Sequence, residues 1–253
     1  MATRRTGTIY VGVGGWNFAP WRGSFYPPGL TQAKELHYAS RELTSIEINS
    51  TFYGLQKAAT FKKWHDETPA GFVFSVKAPR FVTHRRELAS AASSIERFLD
   101  SGILELGAKL GPINWQLPPG KPFDARDLAA FLELLPGKHG GRALRHALEV
   151  RDASFDCAEL SGLLRERQVA LVEAGDSEYP RILARTAPFS YLRVMGTKAS
   201  APKGYAPGAL ARWQERAQDL ARDGDVFFYF ISGAKERNPQ ASRALLATLE
   251  QGR

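Results

Sequence analysis

The sequence is poor in cysteine, with Cys157 alone among 253 residues, so it cannot form an internal disulfide. A chain without disulfides is compatible with a reducing compartment, and we expect a cytoplasmic protein. The apolar run at 9–13 is too short for a secretory signal and far too short to span a bilayer. The sequence therefore predicts no membrane partner.

Familiar catalytic motifs are also missing. There is no Walker or G-x-S-x-G pattern, and no G-x-G-x-x-G with an acidic partner after the first predicted strand. The five histidines are scattered, so the only candidate metal ligands are His84, Glu47, Glu149 and Asp176. We predict neither a metal nor a cofactor, and we interpret Cys157 as a packed, unreactive thiol.

The composition that remains is that of a globular protein, with 43% hydrophobic and 24% charged residues. Lysine and arginine number 34 against 26 acidic residues, which gives a formal net charge of +8. This excess favours anionic partners by long-range attraction. A basic protein with no such partner is the alternative, because net charge does not show whether the charges cluster.

Eight short strand-like segments alternate with amphipathic segments along the whole chain. The predicted strands are 8–14, 45–53, 72–78, 110–117, 147–152, 170–174, 190–195 and 226–232. Helix start signals stand at Asp124, Pro207 and Asn238, whereas 177–187 contains Pro180 and little periodicity. We expect a short or irregular sixth connection.

No long linker interrupts the alternation, so the sequence predicts one α/β domain over residues 1–253. Eight βα units can form an open doubly wound sheet or close into a barrel. Since the dinucleotide fingerprint is absent, we predict a single (β/α)8 TIM barrel.

The strand at 45–53 shows how the barrel interior is predicted. Ile46 and Ile48 share one face, which must meet the helices, so Glu47, Asn49 and Tyr53 point inward. The same alternation turns further polar residues inward: Ser75, Lys77, Asn114, Gln116, Glu149, Arg151 and Arg193.

A charged interior has two interpretations. Two carboxylates and three cations could neutralise one another as a buried network. They could also line a site, because barrel enzymes place reactive groups at the C-terminal strand ends, where Lys77, Arg151 and Arg193 fall. We favour the site, and the excess cation suits a phosphate or carboxylate.

Three predicted loops add functional candidates. The loop at 16–30 reads WNFAPWRGSFYPPGL, whose rings could stack on a base or sugar or could form a hydrophobic lid. His84 follows the third strand as a possible proton carrier. Ser232 and Lys235 precede the last helix, where barrels often hold phosphate.

Six segments give the chain a resemblance to the YecE-like family, known as domain of unknown function seventy-two. They read GVGGWNFAPWRGSFYPPGL (12–30), IEINSTFYGL (46–55), FVFSVKAPRFVTH (72–84), AKLGPINWQLPP (108–119), LEVR (148–151) and YLRVMG (191–196). The resemblance implies a TIM barrel and no settled activity. Asp152, Met195 and Ile231 stand where the family pattern has other polar residues, which implies altered chemistry at the mouth.

We predict an enzyme, such as a metal-independent hydrolase or lyase, acting on an anionic, phosphate-bearing small molecule or nucleotide. The predicted catalytic residues are Glu47, Glu149 and His84. The predicted substrate-binding residues are Trp16, Trp21, Asn49, Tyr53, Lys77, Gln116, Arg151, Arg193 and Ser232. The alternative is a non-catalytic protein that binds single-stranded nucleic acid through its basic, aromatic-rich mouth.

Overall fold

Eight parallel strands close into a barrel in the computed structural model, which describes residues 6–251. The strands are β1 (Ile9–Gly14), β2 (Ser45–Ile48), β3 (Val73–Lys77), β4 (Leu110–Gln116), β5 (His146–Glu149), β6 (Ala170–Gly175), β7 (Phe189–Val194) and β8 (Asp225–Phe230). Each strand pairs with the next in sequence, and β1 pairs with β8 from Ile9 opposite Val226 to Val13 opposite Phe230. The predicted TIM barrel is confirmed.

Nine α-helices lie between and after the strands in the described part of the chain. They are α1 (Glu35–Glu42), α2 (Ser50–Tyr53), α3 (Ala58–Glu67), α4 (Arg80–Thr83), α5 (Ala92–Leu99), α6 (Ala125–Glu133), α7 (Ala158–Glu166), α8 (Pro207–Ala221) and α9 (Asn238–Gln251). Short 3-10 segments occupy Ala19–Trp21, Gln32–Lys34, Leu88–Ala91, Ile103–Lys109, Ala153–Phe155 and Lys235–Arg237. A two-stranded hairpin pairs Lys138–His139 with Arg142–Ala143 before β5.

The predicted helix starts are confirmed. The Asp124 carboxylate accepts hydrogen bonds from the backbone amides of Arg126 and Asp127, which caps α6. Helix α8 begins at Pro207 and α9 at Asn238. Between β6 and β7 the described chain forms no helix, as Pro180 and the weak periodicity predicted.

The predicted strand 45–53 is wrong beyond Ile48. Asn49 adopts a helical backbone conformation, and 50–53 form one helical turn instead of continuing the strand. The Thr51 hydroxyl donates to the backbone oxygen of Lys77 at 2.7 Å, which ties this turn to the end of β3. As a result Phe52 is buried and Tyr53 is 73% exposed, so the predicted alternation does not apply to either residue.

Two other strands end two or more residues earlier than predicted. Strand β5 ends at Glu149 because Asp152 caps the 3-10 turn Ala153–Phe155 through the backbone amide of Ser154. Strand β8 ends at Phe230, and Ser232 has a left-handed φ of 56°. Arg151 and Ser232 therefore lie in loops at the mouth of the barrel.

The barrel interior is layered from an apolar floor to a charged top. Near the N-terminal strand ends, the rings of Tyr10 and Phe227 stack with centroids 5.0 Å apart, and the Arg145 guanidinium lies 4.7 Å from the Phe227 ring. Above them, the Tyr229 hydroxyl lies 2.7 Å from the hydroxyls of Ser45 and Ser75. The outward strand faces are apolar and pack on the helices. The charged interior residues lie above the hydroxyl layer, at the C-terminal mouth.

None of the helices within residues 6–251 has the length and hydropathy that a membrane span requires. That the whole chain from 1 to 253 forms one domain stays a prediction, since 1–5 and 252–253 lie outside the described residues.

Candidate active site

A cavity of about 750 Å³ opens at the C-terminal ends of the strands. Nine of the twelve predicted site residues line it: Trp16, Asn49, Tyr53, Lys77, His84, Gln116, Arg151, Arg193 and Ser232. Smaller cavities of about 280 and 400 Å³ lie beside Glu173 and Arg216, where the sixth helix of the barrel is missing. The mouth cavity is the candidate site because it combines the larger volume with the charged strand ends.

An ion-pair network lies directly beneath this cavity. Arg193 donates to Glu47 at 2.9 Å and to Glu149 at 2.5 Å, and Arg151 donates to Glu149 at 2.9 Å. The side chains of Glu47 and Glu149 have no exposed surface. Both carboxylates are buried and compensated, so the predicted network exists and also forms the base of an open cavity.

Amide and hydroxyl groups complete the network. Asn114 donates to both Glu47 and Glu149 at 3.3 Å, and the Tyr191 hydroxyl donates to Glu47 at 2.6 Å. The Gln116 side-chain oxygen accepts from Arg151 at 2.8 Å and from Arg193 at 3.3 Å. These contacts fix the two guanidinium groups relative to each other and to the cavity.

The network sets the protonation states of its members. Burial alone would raise the pKa of Glu149, but Arg193, Arg151 and Lys77 more than offset it, so that pKa lies below its ordinary value. Burial alone would lower the pKa of Arg193, yet Glu149 and Glu47 hold it above the ordinary value. Glu149 therefore stays ionised near neutral pH and is poorly suited to carry a proton.

The predicted catalytic roles of Glu47 and Glu149 do not fit this geometry. Neither carboxylate lines the cavity, and both form ion pairs with Arg193. Their position makes them counter-ions that hold Arg193 and Arg151 in place. A reacting substrate in the cavity would meet the guanidinium groups before the carboxylates.

Lys77 lies at the end of β3 and is 9% exposed. Its ammonium group sits 3.9 Å from the centre of the Phe52 ring. Within the described residues it makes no ion pair or hydrogen bond through Nζ. Burial, and then the nearby charge of Arg193, lower the pKa of Lys77 to about 8.

His84 lies at the edge of the same cavity, exposed, with its ring 5.4 Å from that of Phe52. Burial and the charges of Lys77, Arg80 and Arg151 lower the pKa of His84 below its ordinary value. The ring is therefore neutral near pH 7 and can accept a proton.

The aromatic loop at 16–30 divides into two parts. Trp16 is half-buried, lines the cavity and contacts Trp64 edge to face at 5.1 Å. Trp21 has no exposed surface, and its indole donates to the backbone oxygen of Lys235 at 2.8 Å. Phe25 and Tyr26 are buried around it. This placement corrects the prediction for Trp21, whose buried ring packs the loop and cannot stack on a ligand.

The loop after β8 forms one wall of the cavity. Ser232 is exposed there, and the Lys235 ammonium lies 4.4 Å from the Phe18 ring. Asn238 fixes the loop, since its side chain donates to the backbone oxygen of Ser232 at 3.3 Å and accepts from Thr197 at 2.8 Å. The loop thus adds a further cation to the rim.

Asn49 lies on the opposite wall, at the end of β2, and its buried side-chain oxygen has no hydrogen-bond partner among the residues that the structure describes. The absent side chain of Gly14 makes room for it, because a Cβ there would lie 2.6 Å from the Asn49 amide nitrogen. Asn49 is thus held close to β1 with an unused acceptor.

The three departures from the family pattern have separate structural roles. Asp152 accepts from Ser154 and caps a turn outside the cavity. Met195 is buried in the interior apolar cluster, and Ile231 is buried but borders the cavity. The mouth is thus more apolar at Met195 and Ile231 than the family pattern implies.

Sequence reasoning missed two residues that shape the site. The Tyr179 ring lies 4.2 Å from the Arg151 guanidinium, and its hydroxyl accepts from Arg151 at 3.2 Å. Tyr179 belongs to the irregular sixth connection, so no periodicity could place it. Tyr191, in contrast, shares the strand parity of Arg193, and that signal could have revealed its contact with Glu47.

Among residues 6–251, no three histidine, cysteine, aspartate or glutamate side chains are grouped so as to hold a metal ion. Glu47 and Glu149 are occupied by Arg193, and Asp176 accepts from the backbone amides of Met195 and Gly196. Cys157 is half-buried at the start of α7.

A family model described as "Protein of unknown function DUF72" matches residues 10–253. The UPF0759 protein YunF of Bacillus subtilis is 31% identical over 153 residues, which cover 58% of this chain and 52% of that protein. The UPF0759 protein YecE of Escherichia coli K12 is 30% identical over 150 residues, with 58% and 50% covered. The chain therefore spans about half the length of these curated relatives.

A solved structure extends the similarity to the whole fold. A DUF72 family protein from Thermotoga maritima superposes with a TM-score of 0.75 at 22% identity, covering 97% of this chain and all of the other. At that identity the likeness shows the fold alone.

Proposed function

Since the chain belongs to the DUF72 family, whose activity its description leaves open, we propose that the mouth cavity is the active site of an enzyme acting on an anionic substrate. The substrate class is a phosphate-bearing small molecule or a nucleotide, and the reaction class is a hydrolysis or an elimination. The site lies at the C-terminal strand ends, where barrel enzymes carry their chemistry.

One observation carries the proposal: the network under the cavity has more positive than negative charge. Lys77, Arg151 and Arg193 face only two carboxylates, Glu47 and Glu149. Both carboxylates are fully buried, whereas the three cations line the cavity. An anion entering the cavity would supply the missing negative charge and accept charge-assisted hydrogen bonds.

In this proposal His84 and Lys77 exchange protons with the substrate, while Glu47 and Glu149 position the guanidinium groups. Both proton carriers have a lowered pKa, so a neutral, proton-accepting form is available near physiological pH. Arg151 is the anion-binding residue best suited to mutagenesis, since its side chain is 15% exposed against 4% for Arg193.

A titration with inorganic phosphate and with adenosine monophosphate tests the proposal. Binding measured by calorimetry should weaken about tenfold or more in Arg151→Gln, because the substitution removes a charged donor. Arg142→Gln is the matched control, since Arg142 is exposed on the hairpin before β5, at the other end of the barrel. Equal affinities in the two variants, or no binding of either anion, would refute the proposal.

One observation favours the second candidate, a protein that binds single-stranded nucleic acid. Tyr53 is 73% exposed beside the cavity, close to half-buried Trp16 and Phe18, so aromatic rings are available at the mouth. Binding of a single-stranded oligonucleotide that weakens steeply between about 50 and 200 mM salt would support this candidate. Unchanged binding in Tyr53→Ala would remove its structural basis.

A further inference from the structure

Within residues 6–251, two lysines are buried, and their surroundings differ. Lys109 and Lys77 are each 9% exposed. Lys109 donates to the backbone oxygens of His65 and Thr68 at 2.5 and 2.6 Å and to the Thr68 hydroxyl at 3.0 Å, so its ammonium is fully solvated by the protein. Lys77 Nζ donates to no oxygen of the described residues.

The carboxylate oxygens of the network are already engaged. Glu47 accepts from Arg193, Asn114 and Tyr191, and Glu149 accepts from Arg193, Arg151 and Asn114. The Phe52 ring lies 3.9 Å from the amine, and burial together with the positive charge of Arg193 and Arg151 outweighs the attraction of Glu47 and Glu149. This environment disfavours the ammonium form relative to the free amine.

We propose that Lys77 is a nucleophile that forms an imine with a small carbonyl compound carrying a carboxylate or phosphate group. This proposal rests on the proposed function and deepens it, because it names the reactive group of the anionic substrate. It also assigns to Lys77 a covalent role where the sequence predicted anion binding alone.

The chemistry balances without an oxidant or a second substrate. The lone pair of Nζ forms a bond to the carbonyl carbon, the C–O π bond breaks, and one proton moves from nitrogen to oxygen to give a carbinolamine. Loss of the hydroxyl group together with the remaining N–H proton, as water, then forms the C=N bond. The overall change is amine plus carbonyl to imine plus water.

The surroundings of Lys77 account for the negative charge required of the substrate. A protonated imine would be a cation next to Arg193 and Arg151, in a site that already disfavours the ammonium form. A carboxylate or phosphate on the same molecule supplies the compensating charge and can accept from Arg151, which lines the same cavity. A neutral carbonyl compound lacks this compensation.

His84 is placed to move the protons. Its ring and the Lys77 amine contact the same Phe52 ring, at 5.4 Å and 3.9 Å from its centre. Because the pKa of His84 is lowered, the neutral ring can take a proton during addition and return it to the leaving hydroxyl.

Reactivity near neutral pH follows from the buried site. With a pKa of about 8, roughly one quarter of Lys77 side chains are uncharged at pH 7.5, against about one in a thousand for an ordinary lysine. Trapping at Lys77 should therefore increase between pH 6.5 and 8.5 and level off above it.

The test is reductive trapping with cyanoborohydride on the full chain. Pyruvate supplies a carboxylate, dihydroxyacetone phosphate a phosphate, and dihydroxyacetone is the neutral control. Peptide mapping by mass spectrometry locates the reduced secondary amine. At pH 7.5 we expect at least about tenfold more adduct at Lys77 than at Lys203, which is exposed.

Two variants serve as controls. Lys77→Arg keeps the positive charge and should lose the adduct while retaining the circular dichroism of the parent. Lys203→Arg should label at Lys77 as the parent does. Should Lys77→Arg fail to fold, mapping in the parent chain still decides the outcome.

The outcomes separate this proposal from the proposed function. Phosphate binding without an adduct at Lys77 overturns the imine alone. An adduct at Lys77 without phosphate binding overturns the anion-binding function and leaves the nucleophile. Equal labelling by dihydroxyacetone and the anionic probes overturns the substrate class, and labelling no stronger than at Lys203 overturns the whole inference.

Discussion

The hydroxyl of Tyr229 on β8 lies 2.7 Å from the hydroxyl of Ser75 on β3, across the interior of the barrel. The same tyrosine hydroxyl lies 2.7 Å from that of Ser45 on β2. Ser45 has a second partner in the backbone oxygen of Val73, whereas the Ser75 hydroxyl makes no other hydrogen bond in the described structure. Three strands therefore share one buried hydroxyl just below the charged network.

Tyr229→Phe should lower the free energy of unfolding by about 1–3 kcal/mol, because it leaves the Ser75 hydroxyl buried without a partner. Adding Ser75→Ala should recover part of that loss, since both polar groups are then removed. Urea unfolding of the single and double variants measures the coupling. Strictly additive losses would contradict the hydrogen bond.

Arg193→Met should destabilise the protein by about 3–5 kcal/mol, because Glu47 and Glu149 lose their shared counter-ion while buried. The triple variant with Glu47→Gln and Glu149→Gln should be more stable than Arg193→Met alone. Thermal unfolding of the two variants gives the comparison. If the triple variant is the less stable, the carboxylates are not the source of the loss.

Acid should remove stability through Glu149. Its folded pKa lies below the ordinary value of 4.5, so its contribution is present above that pH and is lost as pH falls through the folded pKa. The difference in unfolding free energy between the parent and Glu149→Gln should therefore shrink from pH 5 downward. Asp66→Asn is the control, because Asp66 lies in an exposed pair with Lys62 and should change stability little.

Lys77 should produce a pH dependence of the same sign at alkaline pH. Its folded pKa of about 8 lies below the ordinary 10.5, so between these values the unfolded chain holds a proton that the native chain has released. Stability then rises with pH across this window, relative to Lys77→Met. At pH 7 that variant should be more stable than the parent by up to about 3 kcal/mol. A constant difference from pH 7 to 10.5 would show that Lys77 titrates normally.

The two tryptophans of the first loop should respond differently to truncation. Trp21→Ala should cost about 3–5 kcal/mol of stability, because its ring is fully buried. Trp16→Ala should cost less, since the ring is half-buried, and should weaken binding of phosphate-bearing ligands at the cavity. Unfolding free energies and calorimetric titrations of both variants distinguish these effects. A larger stability loss for Trp16→Ala would contradict the assignment.

The alternation of side chains along each strand predicted most of the candidate site, because the face to which a side chain points depends only on its position within the strand. Glu47, Lys77, Gln116 and Arg193 were predicted to face inward, and each does so where its strand is regular. The prediction of a continued strand failed beyond Ile48, where the backbone turns into a helix, although Asn49 still lines the cavity. Nothing in 45–53 marks Ile48 as the last strand residue, since the hydrogen bond that stabilises the turn comes from Thr51 to Lys77 on another strand.

The sequence by itself determined the eight repeated units, the closed barrel and the set of charges that point into it, because periodicity and parity depend on neighbouring residues along the chain. Only the tertiary structure decided which charged residues form ion pairs with one another and which face the cavity. Arg193 and Arg151 pair with Glu47 and Glu149, which are 102 positions apart in the chain, and within residues 6–251 this leaves the Lys77 amine without a hydrogen-bond partner. Which charged residues pair depends on distances between strands, and no local sequence pattern indicates those distances.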